Sequence, residues 1–245
     1  MTAQLDPIDA ATPAPRGRRY PYVLLVVFLV VLGVTAIKPW DVKNWLMENA
    51  LTAAFVLVLV LTRKRLPLSD VSYTVIFLFM CLHVVGSHYS YSLVPIGKTV
   101  SQWFGWQRNQ YDRFVHFSFG LLLAYPVREL FLRVAGVRGF WGYYLPLDLT
   151  MSFSMLYELI EWAAASAFGG ELGAAYLGTQ GDEWDAHKDM ALATLGALIS
   201  MAVVALINWK FDRHFGEELR ESLSVKGKTP LGEVRLRELT GKAGE

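Results

Sequence analysis

The sequence is poor in charge and nearly devoid of cysteine. Charged residues make up 18% of its 245 residues, whereas a soluble domain typically carries about 25%. The single cysteine, Cys81, excludes an intramolecular disulfide and a zinc–thiolate cluster. A net charge of +1 shows no excess of basic residues of the kind that binds nucleic acid, so we expect no nucleic-acid partner. Because 53% of the residues are hydrophobic, the chain as a whole is neither disordered nor collagen-like.

Long hydrophobic runs are what the sequence has instead. A membrane-spanning helix needs about 20 mostly apolar residues. Segments of this kind predict an all-α, polytopic membrane protein, a bundle of about six transmembrane helices. The predicted spans are Tyr20–Ile37, Trp45–Thr62, Ser69–Val85, Arg113–Leu132, Tyr144–Phe168 and Met190–Trp209.

Composition divides the chain into three parts. Residues 1–19 are rich in Pro, Ala and Thr and are expected to form a disordered N-terminal arm. Residues 20–209 form the predicted transmembrane helical domain. Residues 210–245 form a charged tail, expected to be partly helical at Gly216–Val225. The segment Thr35–Pro39 lacks a small–x–small cleavage pattern, so the first span is predicted to remain as an uncleaved anchor.

The basic residues predict the orientation of the bundle. With a cytoplasmic N-terminus, seventeen of the 23 Lys and Arg residues lie in cytoplasmic segments. The positive-inside rule therefore predicts that both termini are cytoplasmic. The remaining six basic residues, on the outer side, are Lys38, Lys43, Lys98, Arg108, Arg113 and Lys188.

Carboxylates and imidazoles from four segments fall on the predicted outer side. Asp112 and His116 are spaced i, i+4, and Glu158 and Glu161 are spaced i, i+3, so each pair shares a helical face. Glu158 lies about ten residues inside the outer end, roughly 15 Å deep. The other members of this set are His83, His88, Asp182, Asp185 and Asp189.

Acids at such depth require neutralisation. An ionisable group at the bilayer centre costs roughly 3 kcal/mol, and two carboxylates one turn apart repel each other. A cation is the natural neutraliser: histidine with carboxylate suits zinc, iron or manganese, whereas carboxylates with carbonyls and water suit calcium or magnesium. We predict one or two divalent ions. The expected ligands are Asp112, His116, Glu158, Glu161, Asp185 and Asp189, with His83 and His88 as further ligands or as supports of the ligands.

Other interpretations of the same residues stay open. Arg108 and Arg113 could pair with the acids and form a buried ion-pair network without a metal. Asp112 could instead be a helix N-cap. Asp182, Asp185 and Asp189 could be solvated acids that complement a helix dipole.

Two further side chains are expected to have local roles. His187 lies between the aspartates but off their shared face, and is predicted to face the surface. Glu129 is expected to form an ion pair with the adjacent Arg128.

Several polar motifs resemble those of the YjdF-like family. The most specific is Gln180–Gly181–Asp182–x–Trp184–Asp185, and the resemblance spans roughly residues 20–210. It implies a multi-pass protein of the bacterial inner membrane, of uncharacterised function. The other matching segments are His83–x4–His88–Tyr89–Ser90–Tyr91, Arg108–Asn109–x–Tyr111–Asp112–Arg113–x2–His116–Phe117, Arg128–Glu129 and Tyr157–Glu158–x2–Glu161–Trp162.

A weaker resemblance is to VanZ-like membrane proteins. In that family an Asp–Lys/Arg–x–x–His–Phe motif opens one span, as Asp112–Phe117 does here. Asp182 and Asp185 match its second motif, which opens the last span. VanZ-like proteins are linked to glycopeptide resistance, so this resemblance implies a role at the cell envelope.

These observations favour a membrane metalloenzyme that acts at the outer face on a lipid or lipid-linked envelope substrate. Hydrolysis is the default reaction, and two irons would permit lipid oxidation instead. Asp182 is the expected general base, and Arg108 or Arg113 is expected to hold a lipid phosphate.

Two other classes of function remain open. One is a carrier coupled to protons or cations, in which the acids relay the ion. The other is a non-catalytic assembly or accessory protein, whose tail docks a cytoplasmic partner or anionic lipid.

Overall fold

The computed structural model describes residues 19–168 and 179–227, together with positions 170, 177, 232, 239 and 240. This part of the chain is helical and contains no β-strand, which confirms the predicted all-α class. The predicted N-terminal arm, apart from Arg19, lies outside the described residues. The helices are α1 (Tyr20–Thr35), α2 (Val42–Thr62), α3 (Asp70–His88), α4 (Pro95–Trp103), α5 (Tyr111–Val134), α6 (Trp141–Phe168), α7 (Asp185–Phe211) and α8 (Phe215–Ser222).

Four of these helices, α2, α3, α5 and α7, are long and apolar enough to cross a membrane. Helix α1 is apolar but has only 16 residues, about 24 Å of helix. Helix α6 has 28 residues and carries Asp148, Glu158 and Glu161 along its length. These helices agree with the prediction of a multi-pass helical membrane protein. The count of six spans and the cytoplasmic position of both termini stay predictions.

Helices α5 and α7 run in the same direction and pack against each other more extensively than any other described pair. Two glycines allow their backbones to touch. A Cβ atom at Gly120 of α5 would collide with the carbonyl oxygen of Ala193 and lie 2.7 Å from the Ala197 nitrogen. A Cβ atom at Gly196 of α7 would collide with the carbonyl oxygen of Phe117. The polar residues that precede both glycines in their helices are therefore brought face to face.

At the opposite end of α5, Glu129 ties this helix to the N-terminus of α3. Its carboxylate accepts hydrogen bonds from the Ser69 backbone N–H at 2.8 Å and the Ser72 hydroxyl at 2.5 Å. Arg133 Nη1 lies 2.9 Å from the same carboxylate. The predicted pair with Arg128 is wrong, because neighbouring side chains on a helix diverge whereas i, i+4 side chains meet. Arg128 instead lies 4.8 Å over the ring of Tyr143.

Replacing Glu129 by glutamine is expected to destabilise the protein by about 1–3 kcal/mol, because the amide cannot accept every hydrogen bond that the carboxylate accepts. Thermal unfolding in detergent, followed by tryptophan fluorescence, measures the change. The matched control is Glu217→Gln on α8, where the carboxylate is 82% exposed. Equal melting temperatures for the two variants would contradict a structural role for Glu129.

Helix α8 begins the charged tail and is docked on the turn before α6. The Ser222 hydroxyl oxygen accepts a hydrogen bond from the Phe140 N–H at 2.9 Å, and its carbonyl accepts one from the Trp141 indole at 2.8 Å. The helical segment predicted at Gly216–Val225 is observed at Phe215–Ser222, so it begins one residue earlier and ends three residues earlier than predicted.

Candidate metal site

Three connections between helices meet at one end of the bundle, here called the site end. The Trp40 N–H in the α1–α2 turn donates to the carbonyl of His88 at 2.9 Å. The backbone N–H of Asn109, which precedes α5, donates to the side-chain oxygen of Gln180, which precedes α7, at 3.0 Å. The first turns of α5 and α7 therefore start from a shared, hydrogen-bonded platform.

The centre of the site is formed by Asp112 and His116 on α5 and by Asp189 on α7. One ligand atom from each of the three lies within 4.8 Å of the others. Asp112 Oδ1 is 3.6 Å from His116 Nε2. Asp189 is 2% exposed, and its Oδ1 has no hydrogen-bond partner among the described residues. Because the N-cap of α5 is Gln110, Asp112 is not a capping residue.

Helix α6 adds two more acids to this centre. Glu158 Oε1 lies 3.6 Å from His116 Nε2, on the ring atom that also faces Asp112. Glu161, one turn further along α6, is within electrostatic range of Glu158, Asp112 and Asp189. The structure thus brings together the two acidic pairs that their spacing placed on single helical faces.

Glu48 on α2 is a member of the cluster that the sequence analysis missed. It is 2% exposed and accepts a hydrogen bond from the Tyr157 hydroxyl at 2.9 Å. The Tyr157 ring is 5.9 Å from the His116 ring in an edge-on arrangement. The available signal was an acid inside the predicted span Trp45–Thr62, where an ionisable residue is expected to face the bundle interior.

Two arginines lie beside the acids, as the ion-pair interpretation predicted. Arg108 Nη2 is 2.6 Å from Asp185 Oδ1 and 3.5 Å from Asp112 Oδ2. Arg113 Nη2 is 3.6 Å from the same Asp185 oxygen and also pairs with Asp182. Asp185, at the start of α7, is 4% exposed. Both guanidinium groups compensate its charge.

The cluster contains more acids than these arginines balance. Six carboxyl groups face two guanidinium groups within the described part of the cluster. Buried charges are retained when they are paired, protonated or bound to a metal. The surplus therefore requires protons or cations. The six acids are Glu48, Asp112, Glu158, Glu161, Asp185 and Asp189.

Asp182 lies at the rim, in the connection before α7. The Lys188 ammonium is 2.6 Å from its carboxylate, and Arg113 donates a further charged hydrogen bond. The hydrogen bond from Lys188, together with those from the Trp184 N–H and Arg113, lowers the pKa of Asp182 to about 2. A carboxylate with so low a pKa is a weak base, so its predicted role as general base has little support from its surroundings.

The ion pairs of Asp182 predict a pH dependence. Because its pKa is lower in the folded chain than the ordinary 3.8, these pairs stabilise the fold above about pH 4 and are lost as the pH falls toward 2. We expect Asp182→Asn to melt below wild type at pH 6, with a difference that shrinks below pH 4. Thermal melts across this range measure it, with Glu183→Gln as the control. A pH-independent difference would contradict the assignment.

The remaining histidines differ in their surroundings. His83 Nδ1 is 2.6 Å from the Tyr91 hydroxyl, and its buried Nε2 has no hydrogen-bond partner among the described residues. Burial raises the pKa of Tyr91 well above its usual value, so the phenol stays protonated. His88 Nδ1 instead donates to the carbonyl of Thr35 at 2.7 Å, away from the acids.

His187 is exposed, and its ring lies 5.2 Å from that of Trp184. The expectation that it faces the surface is confirmed. The metal-binding roles of His83 and His88, and the catalytic roles of Arg108 and Arg113, stay predictions.

The helices and the site together define a multi-pass helical membrane protein with an acidic, histidine-containing cluster at the site end of the bundle. The comparisons with known proteins agree. The chain belongs to the family described as "Predicted membrane protein (DUF2238)", whose model matches residues 20–210. It is 38% identical over 217 residues to the "Inner membrane protein YjdF" of Escherichia coli (strain K12), an alignment that covers 88% of this chain and 98% of that protein.

These comparisons confirm the resemblance to the YjdF-like family. With the apolar helices, they identify the chain as a multi-pass inner-membrane protein. No solved structure matches it. The weaker likeness to VanZ-like proteins, and the envelope role which that likeness implied, stay predictions.

Proposed function

We propose that this protein is a membrane-embedded metalloenzyme that hydrolyses a lipid or lipid-linked substrate at the outer face of the membrane. The observation that carries the proposal is the convergence of Asp112, His116 and Asp189. Their ligand atoms lie within 4.8 Å of one another, and one buried oxygen of Asp189 has no partner among the described residues. A carboxylate–imidazole set of this kind suits zinc, iron or manganese.

The surroundings of the three ligands support a site for cations. Glu158 and Glu161 supply further carboxylates, and the surplus of acids over arginines is relieved by divalent charge. One ion is bound by Asp112, His116 and Asp189 in this proposal, and Glu161 is available to a second ion. A bound metal ion supplies a water of lowered pKa and polarises a phosphoryl or ester oxygen.

The protein's own groups have distinct roles in the proposed hydrolysis. Glu158, which faces the imidazole of His116 rather than a cation, is better suited than Asp182 to accept a proton from water. Arg108 and Arg113 lie between the ligands and the connection before α7, where an anionic headgroup would enter from the membrane surface. Guanidinium groups bind phosphate oxygens in bidentate geometry.

Elemental analysis by mass spectrometry of the detergent-purified chain tests the metal site. We expect one or two equivalents of zinc, iron or manganese in wild type and a loss of at least tenfold in Asp189→Asn. The matched control, Asp148→Asn on the exposed side of α6, is expected to keep the metal. A folded wild-type protein without metal would overturn the proposal.

The hydrolytic step has its own assay. Detergent-purified protein is incubated with phosphatidylglycerol or with a polyprenyl diphosphate, and the release of water-soluble phosphate products is measured with and without chelator. We expect chelator-sensitive release that Glu158→Gln reduces by at least a hundredfold. If the protein binds metal but releases no phosphate product from either probe, the metal site would stand and hydrolysis of these substrates would be rejected.

A cation-coupled carrier is the second candidate, and Glu48 is the observation that favours it. This residue extends the acids to α2, so that four helices contribute carboxylates to one buried cluster. Proton or cation movement across proteoliposomes, abolished in Glu48→Gln, would favour the carrier over the hydrolase.

A further inference from the structure

A groove lies between α1 and α2, with α3 as its floor, away from the acidic cluster. Both α1 and α2 pack against α3, and the space left between them has a volume of about 370 Å³. Its lining runs from Pro21 to Phe28 on α1 and from Val56 on α2 to Lys64, just beyond the end of that helix. Each of these stretches covers roughly 10 Å of helix.

The walls of the groove are apolar along most of its length. Leu24 and Leu25 of α1 line the groove together with Val56 and Leu59 of α2, and the buried side chain of Ile76 on α3 lines its floor. In a bilayer, such a surface is in contact with acyl chains rather than with water. An apolar groove between two lipid-facing helices therefore fits an extended hydrocarbon chain better than a soluble ligand.

One end of the groove is basic. Arg63 and Lys64, which directly follow α2, line it, and no acidic side chain is among the described residues that do so. The Arg63 guanidinium lies 4.0 Å over the ring of Tyr22. This end lies at the opposite side of the bundle from the acidic cluster.

We propose that this groove binds one anionic glycerophospholipid, with an acyl chain between α1 and α2 and the phosphate at Arg63 and Lys64. Charge complementarity selects the headgroup: basic pockets between transmembrane helices bind anionic lipids. The apolar part of the groove binds any acyl chain, so Arg63 and Lys64 determine the preference for an anionic over a zwitterionic lipid. This inference does not depend on the proposed hydrolase, whose residues lie at the other end.

Native mass spectrometry of the full chain in detergent tests the site, with dioleoyl phosphatidylglycerol and dioleoyl phosphatidylcholine as probes. We expect the groove to hold one phosphatidylglycerol per chain, in addition to any bound as substrate at the site end, and at least fivefold lower occupancy by phosphatidylcholine. The double variant Arg63→Gln, Lys64→Gln is expected to reduce phosphatidylglycerol to the phosphatidylcholine level. Arg65→Gln, a neighbouring cation outside the lining, is expected to retain it. Equal binding of the two lipids would overturn the proposal.

The acyl-chain half of the proposal has a separate test. Val60→Trp fills the groove and is expected to lower phosphatidylglycerol occupancy at least fivefold, whereas Leu57→Trp, exposed on the same helix outside the lining, leaves it unchanged. Unchanged occupancy in Val60→Trp would overturn the site.

A photoreactive diazirine in the acyl chain of phosphatidylglycerol gives a measurement on the wild-type chain, which does not depend on how the variants fold. Label in peptides that contain residues 21–28 and 56–60 is the expected result. Label confined to other helices contradicts the proposal.

Discussion

Replacing Gly196 by alanine is expected to lower the melting temperature in detergent by about 10 °C or to prevent folding. The added methyl group would collide with the Phe117 carbonyl oxygen and lie 2.7 Å from the Leu121 nitrogen. Both obstacles are backbone atoms of α5, so the whole helix must move to make room. Overpacking of this kind costs about 3 kcal/mol or more, and each kcal/mol corresponds to about 2–4 °C in a chain of this size.

The matched control is Gly33→Ala on α1. Apart from the neighbouring backbone of α1 itself, no heavy atom of the described residues lies within 4 Å of the position that its Cβ would take. Alanine is the better helix former by about 1 kcal/mol, so this variant is expected to be as stable as wild type or slightly more stable. If Gly196→Ala has the same melting temperature as Gly33→Ala, α5 and α7 are not in backbone contact.

Replacing Arg108 by methionine is expected to destabilise the fold by about 3–5 kcal/mol. Methionine has a similar length but no charge, so it leaves Asp185 with Arg113 alone, at 3.6 Å. Removing one partner of a buried ion pair leaves an uncompensated charge, which costs more than the pair itself contributes. The variant is measured by thermal unfolding beside wild type.

Two comparisons isolate the role of charge in Arg108→Met. Lys188→Met removes a cation whose side chain is 49% exposed and is expected to cost less than 1 kcal/mol. Adding Asp185→Asn to Arg108→Met removes the uncompensated carboxylate and is expected to restore part of the lost stability. No restoration would indicate that lost packing, rather than charge, is responsible.

Hydropathy predicted the spanning helices well wherever their surfaces face lipid. The span predicted at Trp45–Thr62 is observed at Val42–Thr62, and its C-terminal end agrees to the residue. Apolar residues dominate its second half, so the sequence pattern and the physical constraint coincide there.

Hydropathy failed where helices carry polar faces into the bundle. The span predicted from Met190 begins at Asp185, because Asp185 and Asp189 are buried against α5 rather than solvated. The span predicted to end at Val85 continues to His88 for a similar reason. In sequence, a helical turn rich in acidic residues or histidine resembles a loop. Only the packing of a neighbouring helix against it shows that the turn belongs to the helix.

The composition of the site was predictable in part. The i, i+4 and i, i+3 spacings correctly placed Asp112 with His116, and Glu158 with Glu161, on shared faces. They could not show that Arg108 approaches Asp185 across 77 positions of sequence, since this depends on how α5 and α7 pack. Glu48 was missed because a single acid in an apolar span has no periodic partner to mark its face.

The backbone contact between α5 and α7 also bears on which ions the cluster would accept. Asp112 and His116 are held by one helix and Asp189 by the other, and Gly120 and Gly196 fix the distance between the two helices. The backbone positions of the three ligands are therefore fixed relative to one another, and only rotation of their side chains can change the opening between them. For the ion proposed to bind here, fixed backbone positions of the ligands would favour metals with bonds near 2.0–2.2 Å, such as zinc, over calcium, whose bonds of 2.3–2.6 Å and higher ligand number need a flexible cage.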